Sequence, residues 1–156
     1  MHAGGGRTYT GSGPAGYAPD NARWQRCRAA GVRLGGYPRS VSLTGGQFVV
    51  GLVVAVPEAS GVIAEHLDDY DALLLHLLAA DLLRFTVAAW ENGARDLASR
   101  SLAFVDLALR EGDEQVVNAI CVSFVENVGA GAGETPAFIA SWPDALSAEL
   151  ASQRVG

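Results

Sequence analysis

The chain contains no lysine, so all eleven of its cations are arginine. Ala, Gly and Val are abundant beside them, a bias that a GC-rich genome accounts for, so the all-arginine set is weak evidence for phosphate recognition. Cysteine is almost absent as well. Cys27 and Cys121 stand far apart, with no CxxC pair and no histidine at ligand spacing, which excludes a zinc-finger arrangement. Cys121 reads as a buried free thiol in a core helix. Long apolar runs are missing too. The longest uncharged one, Phe48–Val56, falls well short of the roughly 20 residues that cross a bilayer. The stretch 71–92 is apolar but interrupted by His76, Asp81 and Arg84, and Met1–Gly16 lacks the apolar region of a secretory signal. These absences lead to the expectation of a soluble, cytoplasmic protein in a reducing compartment.

What is present is distributed unevenly. At 156 residues, 49% hydrophobic and 18% charged, the chain is long enough for one folded domain with a real core. Eleven of its 19 glycines lie in residues 1–46, a stretch with six Arg and one acid, whereas residues 47–156 carry five Arg and 16 acids. The net charges are therefore +5 and −11. The low-complexity block GGGRTYTGSGPAG cannot bury enough apolar surface to offset its ordering entropy, so residues 1–46 are expected to form a disordered tail and 47–156 a single helical domain. Within the tail, Arg23, Trp24, Arg26 and Arg28 resemble an arginine-rich arm for nucleic acid or for an acidic surface.

The body reads as helices. Thr44 and Gln47 have capping-box spacing and open a helix through FVVGLVVAV, although its β-branched residues also suit a strand. Pro57 starts a short second helix through Leu67, and Asp71 is placed to cap a long apolar helix over 72–92. Asp96 is placed to cap 97–111. Gly112 and Asp113 then end that helix and cap the next, making an αα-hairpin. Over 113–128, Val117, Ile120, Cys121, Phe124, Val125 and Val128 share one face. A flexible loop, a brief apolar turn at Phe138–Ala140 and a final helix from Pro143 close the chain. The expected fold is all-α: a compact bundle of about six helices, with a HEAT-like stack of hairpins as the variant.

Several groups could carry chemistry. Glu65, His66, Asp68, Asp69 and Asp71 offer atoms for a metal, His66 and Asp69 foremost, although the calcium-loop glycine and terminal Glu are missing. The simpler reading makes these acids a hydrated helix junction with His66 exposed and Tyr70, at i+4, its neighbour. His76, Asp81 and Glu126 are the candidates for an acid–base site between helices. His76 and Asp81 point about 140° apart on one helix and cannot meet on it. Asp81 falls on the apolar side between Leu77 and Phe85 and calls for a cation, Arg84 or Arg100. Asn118 and Ser123 are expected to bridge nearby backbone groups. The glycine-rich 129–134 lacks the Lys and Ser/Thr of a P-loop, and no cofactor motif or nucleophile elbow occurs, so no cofactor is expected.

The stretches HLDDYDALLLHLLAADLLRF, GDEQVVNAICVSFVENV and WPDALSAEL together resemble an uncharacterised family of small bacterial helical proteins, a domain of unknown function, over roughly Gln47 to Leu150. The resemblance implies a bacterial source and an all-helical fold, and it transfers no catalytic residue. Small acidic helical proteins of bacteria include immunity partners of toxins, an analogy at the level of fold only. The function expected is non-enzymatic protein–protein contact with a basic partner, without membrane or nucleic-acid binding by the acidic body. Two alternatives stand beside it: a small metal-dependent or acid–base enzyme using His66, His76, Asp81 and Glu126, and nucleic-acid binding through the basic tail.

Overall fold

The computed structural model describes residues 42–129 and 131–155. The expected disordered tail and its arginine-rich arm lie, up to residue 41, outside the described residues. From Leu43 onward the chain already belongs to the fold: the Leu43 N–H donates to the Glu111 carbonyl (2.8 Å), and the Asp113 N–H donates to the Leu43 carbonyl (2.8 Å). This isolated bridge, parallel between Leu43 and Gly112, places the residues just before α1 against the hairpin corner.

Helix α1 spans Gly45–Ala55. Thr44 Oγ1 accepts from the Gln47 N–H and Gln47 Oε1 from the Thr44 N–H, so the capping box forms as the spacing predicts. Strand propensity loses here because Phe48, Leu52 and Val56 recur every four residues and are buried together. Pro57–Ala59 forms a 3₁₀ turn into α2, Ser60–Tyr70. Asp71 then adopts a left-handed conformation (φ 50°) and ends α2. The sequence suggested that Asp71 opens the next helix. It closes the previous one instead, because Asp tolerates the left-handed region better than most residues.

Helix α3 accordingly starts later than expected, at Leu75, and runs to Glu91. It buries Leu78, Ala79, Leu82, Leu83, Thr86 and Ala89, and packs against α2, α4 and α5. After Gly93 (φ 79°), α4 spans Arg95–Glu111. Its N-cap, Ala94, makes no side-chain cap bond; Asp96 does not cap and instead bonds Arg100 at 2.8 Å. Gly112 ends α4 in extended backbone (ψ 153°), not the left-handed cap expected of it. Its need for glycine is steric, since a Cβ would stand 2.5 Å from the Ala108 carbonyl oxygen.

Asp113 caps α5, Glu114–Ala119, by accepting from the Val116 N–H (2.9 Å). The helix then widens into a π-helical segment over Ile120–Val125, closed by a Glu126 N–H to Cys121 carbonyl bond (3.1 Å). Helix α6, Pro136–Ala140, stands where a brief apolar turn was expected, and α7 spans Asp144–Val155. Asp106 of α4, buried at 6% exposure, caps α7 from a distance: its Oδ1 accepts from the N–H groups of Ala145 (2.9 Å) and Leu146 (3.1 Å). Its Oδ2 takes Arg110 Nε at 3.1 Å. The described residues thus form an all-α bundle with α3 and α4 at its middle and the α4–α5 hairpin as read from the sequence. Phe124, Phe138, Trp142 and Trp90 make a chain of ring contacts at 5.6–5.9 Å that seats α6 and the start of α7.

Candidate functional site

Sequence reasoning gave His66 only Tyr70 as a neighbour and paired His76 with nothing on its own helix, and the fold gives each a different task. His66 sits on α2 in line with Ile63 and Tyr70. Far from being exposed, it is 2% accessible, its ring 5.0 Å from that of Tyr70. Its Nε2 accepts the backbone N–H of Leu74 at 3.1 Å. Leu74 is the N-cap residue of α3 and lacks a side-chain cap, so His66 fastens the start of α3 to the end of α2. A nitrogen that accepts carries no proton; the ring proton therefore resides on Nδ1. That atom faces Asp81 Oδ2 at 3.7 Å, beyond hydrogen-bond reach. Asp81 is paired with Arg84, the nearer of the two expected cations, whereas Arg100 serves Glu58 (2.7 Å) and Asp96. Asp81 is also less enclosed than its place on the wheel suggested, its side chain being 29% exposed.

His76 lies on the first turn of α3 and faces α5. Its Nδ1 stands 2.9 Å from Ser123 Oγ and its Nε2 3.4 Å from Asn118 Nδ2. The Asn118 amide donates, so Nε2 is the acceptor and Nδ1–H donates to the serine. Ser123 belongs to the π-helical segment and is buried. Both residues were expected to serve nearby backbone; instead they hold a histidine more than 40 positions away, a pairing no local spacing could announce.

Leu73–Leu77, with Gln115 and Asn118, line an open pocket of about 500 Å³, and His76 provides the imidazole within it. Of its lining, Leu74 and Leu77 are each 41% accessible, and at the end of α2 Leu67 and Tyr70 are exposed as well, at 43% and 47%. Glu65, Asp68, Asp69 and Asp71 are exposed along the same segment, and the next cation in the chain is Arg84. Neither Asp81 nor Glu126 lines the pocket; Glu126 lies on the exposed side after the π segment. Of the three acid–base candidates, only His76 lines this pocket. Among the described residues, no group of three or more His, Cys, Asp or Glu is placed to hold a metal ion; on α2, His66 is buried and Asp69 exposed.

The geometry around His76 does not arm Ser123 as a nucleophile. A serine nucleophile needs an imidazole nitrogen free to accept its proton, with the other nitrogen braced by a carboxylate. Here the serine hydroxyl accepts from the ring and an amide faces the other side. Ser123 and Asn118 orient His76 in the pocket wall, with Nε2 only weakly engaged. The exposed leucines supply apolar contact and the carboxylates a negative field. Elsewhere, the strongest charge perturbation is structural: hydrogen bonds from Arg100, and then a backbone bond, hold the Glu58 carboxyl down to about 2.

No helix among the described residues is long and apolar enough to cross a membrane. No curated protein and no solved structure matches the chain. A protein-family model does match, over residues 51–154, about four residues further on at each end than the bounds of roughly Gln47 to Leu150 that the sequence motifs indicated. The chain belongs to the family described as Domain of unknown function (DUF7674).

Proposed function

We propose that this domain is a protein-binding module that grips a basic partner through the face built from the end of α2, the 71–74 turn and the start of α3. The observation that carries the reading is the juxtaposition, in residues 65–77, of four exposed large apolar side chains with four exposed carboxylates and no cation. An apolar patch rimmed by charge of one sign is the usual form of a protein interface, the apolar part supplying affinity and the charge supplying steering and selectivity. The body's net charge of −11 repels nucleic acid and favours a basic surface. A toxin whose basic active surface the domain covers, as an immunity protein does, is a partner of this kind.

The pocket adds an anchor point. Its leucine walls and the Nε2 of His76 suit a side chain that is apolar along its length and carries a donor at its tip. A photo-cross-linking amino acid in place of Tyr70 in the full chain, expressed in the source cells, tests the reading. It predicts an adduct with a protein of basic isoelectric point, absent when the same group replaces the exposed Ala103 of α4. Adducts of equal yield at both positions, or adducts with acidic proteins alone, overturn it.

A further inference from the structure

The turn between α2 and α3 is fastened by a titratable group. Residues 71–74 join the two helices without regular structure, and Asp71 enters the turn in the left-handed region (φ 50°), which residues other than glycine seldom adopt. Leu74, at the N-cap position of α3, offers no side-chain cap. Its N–H goes instead to Nε2 of His66 at 3.1 Å, eight residues back in the chain. That bond exists only while Nε2 carries no proton.

The other ring nitrogen is placed differently. Nδ1 is buried without a hydrogen-bond partner among the described residues and stands 3.7 Å from Asp81 Oδ2. The other ionisable groups on the surrounding elements have their own engagements: Tyr70 lays its ring against His66, Arg84 pairs with Asp81, Arg100 binds Glu58, and Ser123 and Asn118 hold His76. Glu65, Asp68 and Asp69 are exposed on α2, Asp71 is exposed in the turn, and Glu91 stands at the far end of α3. A proton added to Nε2 therefore has two effects. It sets an N–H against the Leu74 N–H, donor to donor, and it gives the ring a charge that Asp81 attracts. An enclosed charge requires a partner, so the ring closes the gap to Asp81 and leaves Leu74.

We propose that His66 is a pH-operated latch on the binding face: neutral, it fixes the 71–74 turn and the start of α3; protonated, it pairs with Asp81 and releases them. The inference rests on the reading of that face as a binding site, because the released stretch supplies Leu73–Leu77 to the pocket wall. The latched form binds one proton fewer than the released form, so the face is ordered at high pH and loosens as pH falls through the imidazole range. Carboxylates ordinarily stay ionised over that range, which assigns the loss of binding to the latch and not to the acids of the face.

The test is a titration of the isotope-labelled full chain between about pH 8 and about pH 5, with NMR following the ring nitrogens of His66 and His76 and the Leu74 amide. A photo-cross-linking group at the exposed Leu67 reports partner capture in extracts of the source cells at the same pH values; Tyr70 is left intact because its ring touches His66. The Leu74 amide should shift, and exchange faster than its intrinsic rate change explains, with the same midpoint as the His66 ring. The yield of the basic adduct should fall by about fivefold, the factor that one lost capping bond is worth. In His66→Gln, whose amide oxygen accepts at every pH, both responses should vanish; in Asp81→Asn the Leu74 transition should move to lower pH. A His66 ring still neutral at about pH 5 overturns the proposal. So does a Leu74 amide that ignores the His66 proton or follows His76, or a yield that falls equally in His66→Gln. An intact Leu74 response with no adduct at any pH is a separate result: it removes the binding reading, and the regulation with it, while the bond between ring and amide stands as a pH-dependent structural tie.

Discussion

Replacing His66 tests the link between the buried core and the proposed binding face. The ring is fully enclosed, stacks on Tyr70 and accepts the Leu74 N–H at the start of α3. His66→Ala removes one capping hydrogen bond to a helix N-terminus, worth about 1 kcal/mol. It also removes a ring contact of about 0.5–1.5 kcal/mol and leaves a cavity costing about 2 kcal/mol. The total expected loss is about 3.5–4.5 kcal/mol, read as a lower urea midpoint with an unchanged slope. His66→Gln keeps an acceptor near the position of Nε2 and should recover about 1 kcal/mol of that loss. Hydrogen exchange of the Leu74 amide should quicken in His66→Ala and much less in His66→Gln. The wild-type ring must also be the tautomer with its proton on Nδ1, visible in nitrogen chemical shifts from long-range proton–nitrogen correlation. A proton found on Nε2, or a loss below about 1 kcal/mol in His66→Ala, refutes the reasoning.

Three further outcomes follow from the packing. Asp106→Ala leaves the Ala145 and Leu146 N–H groups without their acceptor and should cost about 2–4 kcal/mol in denaturant unfolding, whereas Arg110→Ala, removing a half-exposed partner, should cost less than about 1 kcal/mol. Gly112→Ala drives a Cβ into the Ala108 carbonyl and should destabilise by about 1–3 kcal/mol, while Gly61→Ala on the open face of α2 should stabilise by about 0.5–1 kcal/mol; equal signs in calorimetry refute the steric account. The Glu58 carboxyl, bound by Arg100, should titrate at about 2 in carbon-detected NMR and return to the ordinary carboxylate range in Arg100→Met. Since the folded value lies below the unfolded one, this pair's contribution is complete above the ordinary carboxylate range and is lost as pH falls toward about 2. Arg100→Met should therefore flatten the acid limb of the stability profile.

Much of the fold was legible because it rests on short-range signals. The Thr44–Gln47 box and the Asp113 cap involve residues three apart, and the α4–α5 hairpin follows from adjacent Gly and Asp. The turn at 71–74 was not legible: an acid between two apolar stretches can close one helix or open the next, and only tertiary packing decides. His66 was misjudged because its sequence neighbours are acids. Ile63 and Tyr70, which share its face at helical spacing, were the signal that it points inward. The π-helical turn at Ile120–Val125 is too short to alter a helical-wheel pattern, yet it carries Ser123, which meets His76. The Leu73–Leu74–Leu75 run was the visible hint of the pocket, being more apolar than a helix start requires.

The binding face is tested most directly by the dissociation constant of the protein cross-linked at position 70, compared between the wild-type chain and a full chain with Asp68→Asn and Asp69→Asn. Both residues are exposed, so the fold is unaffected. Removing two steering carboxylates should weaken binding by about tenfold, mostly through slower association, and reduce its dependence on salt. Affinity and salt dependence unchanged from wild type would contradict the claim that this acidic, apolar face is where the partner binds.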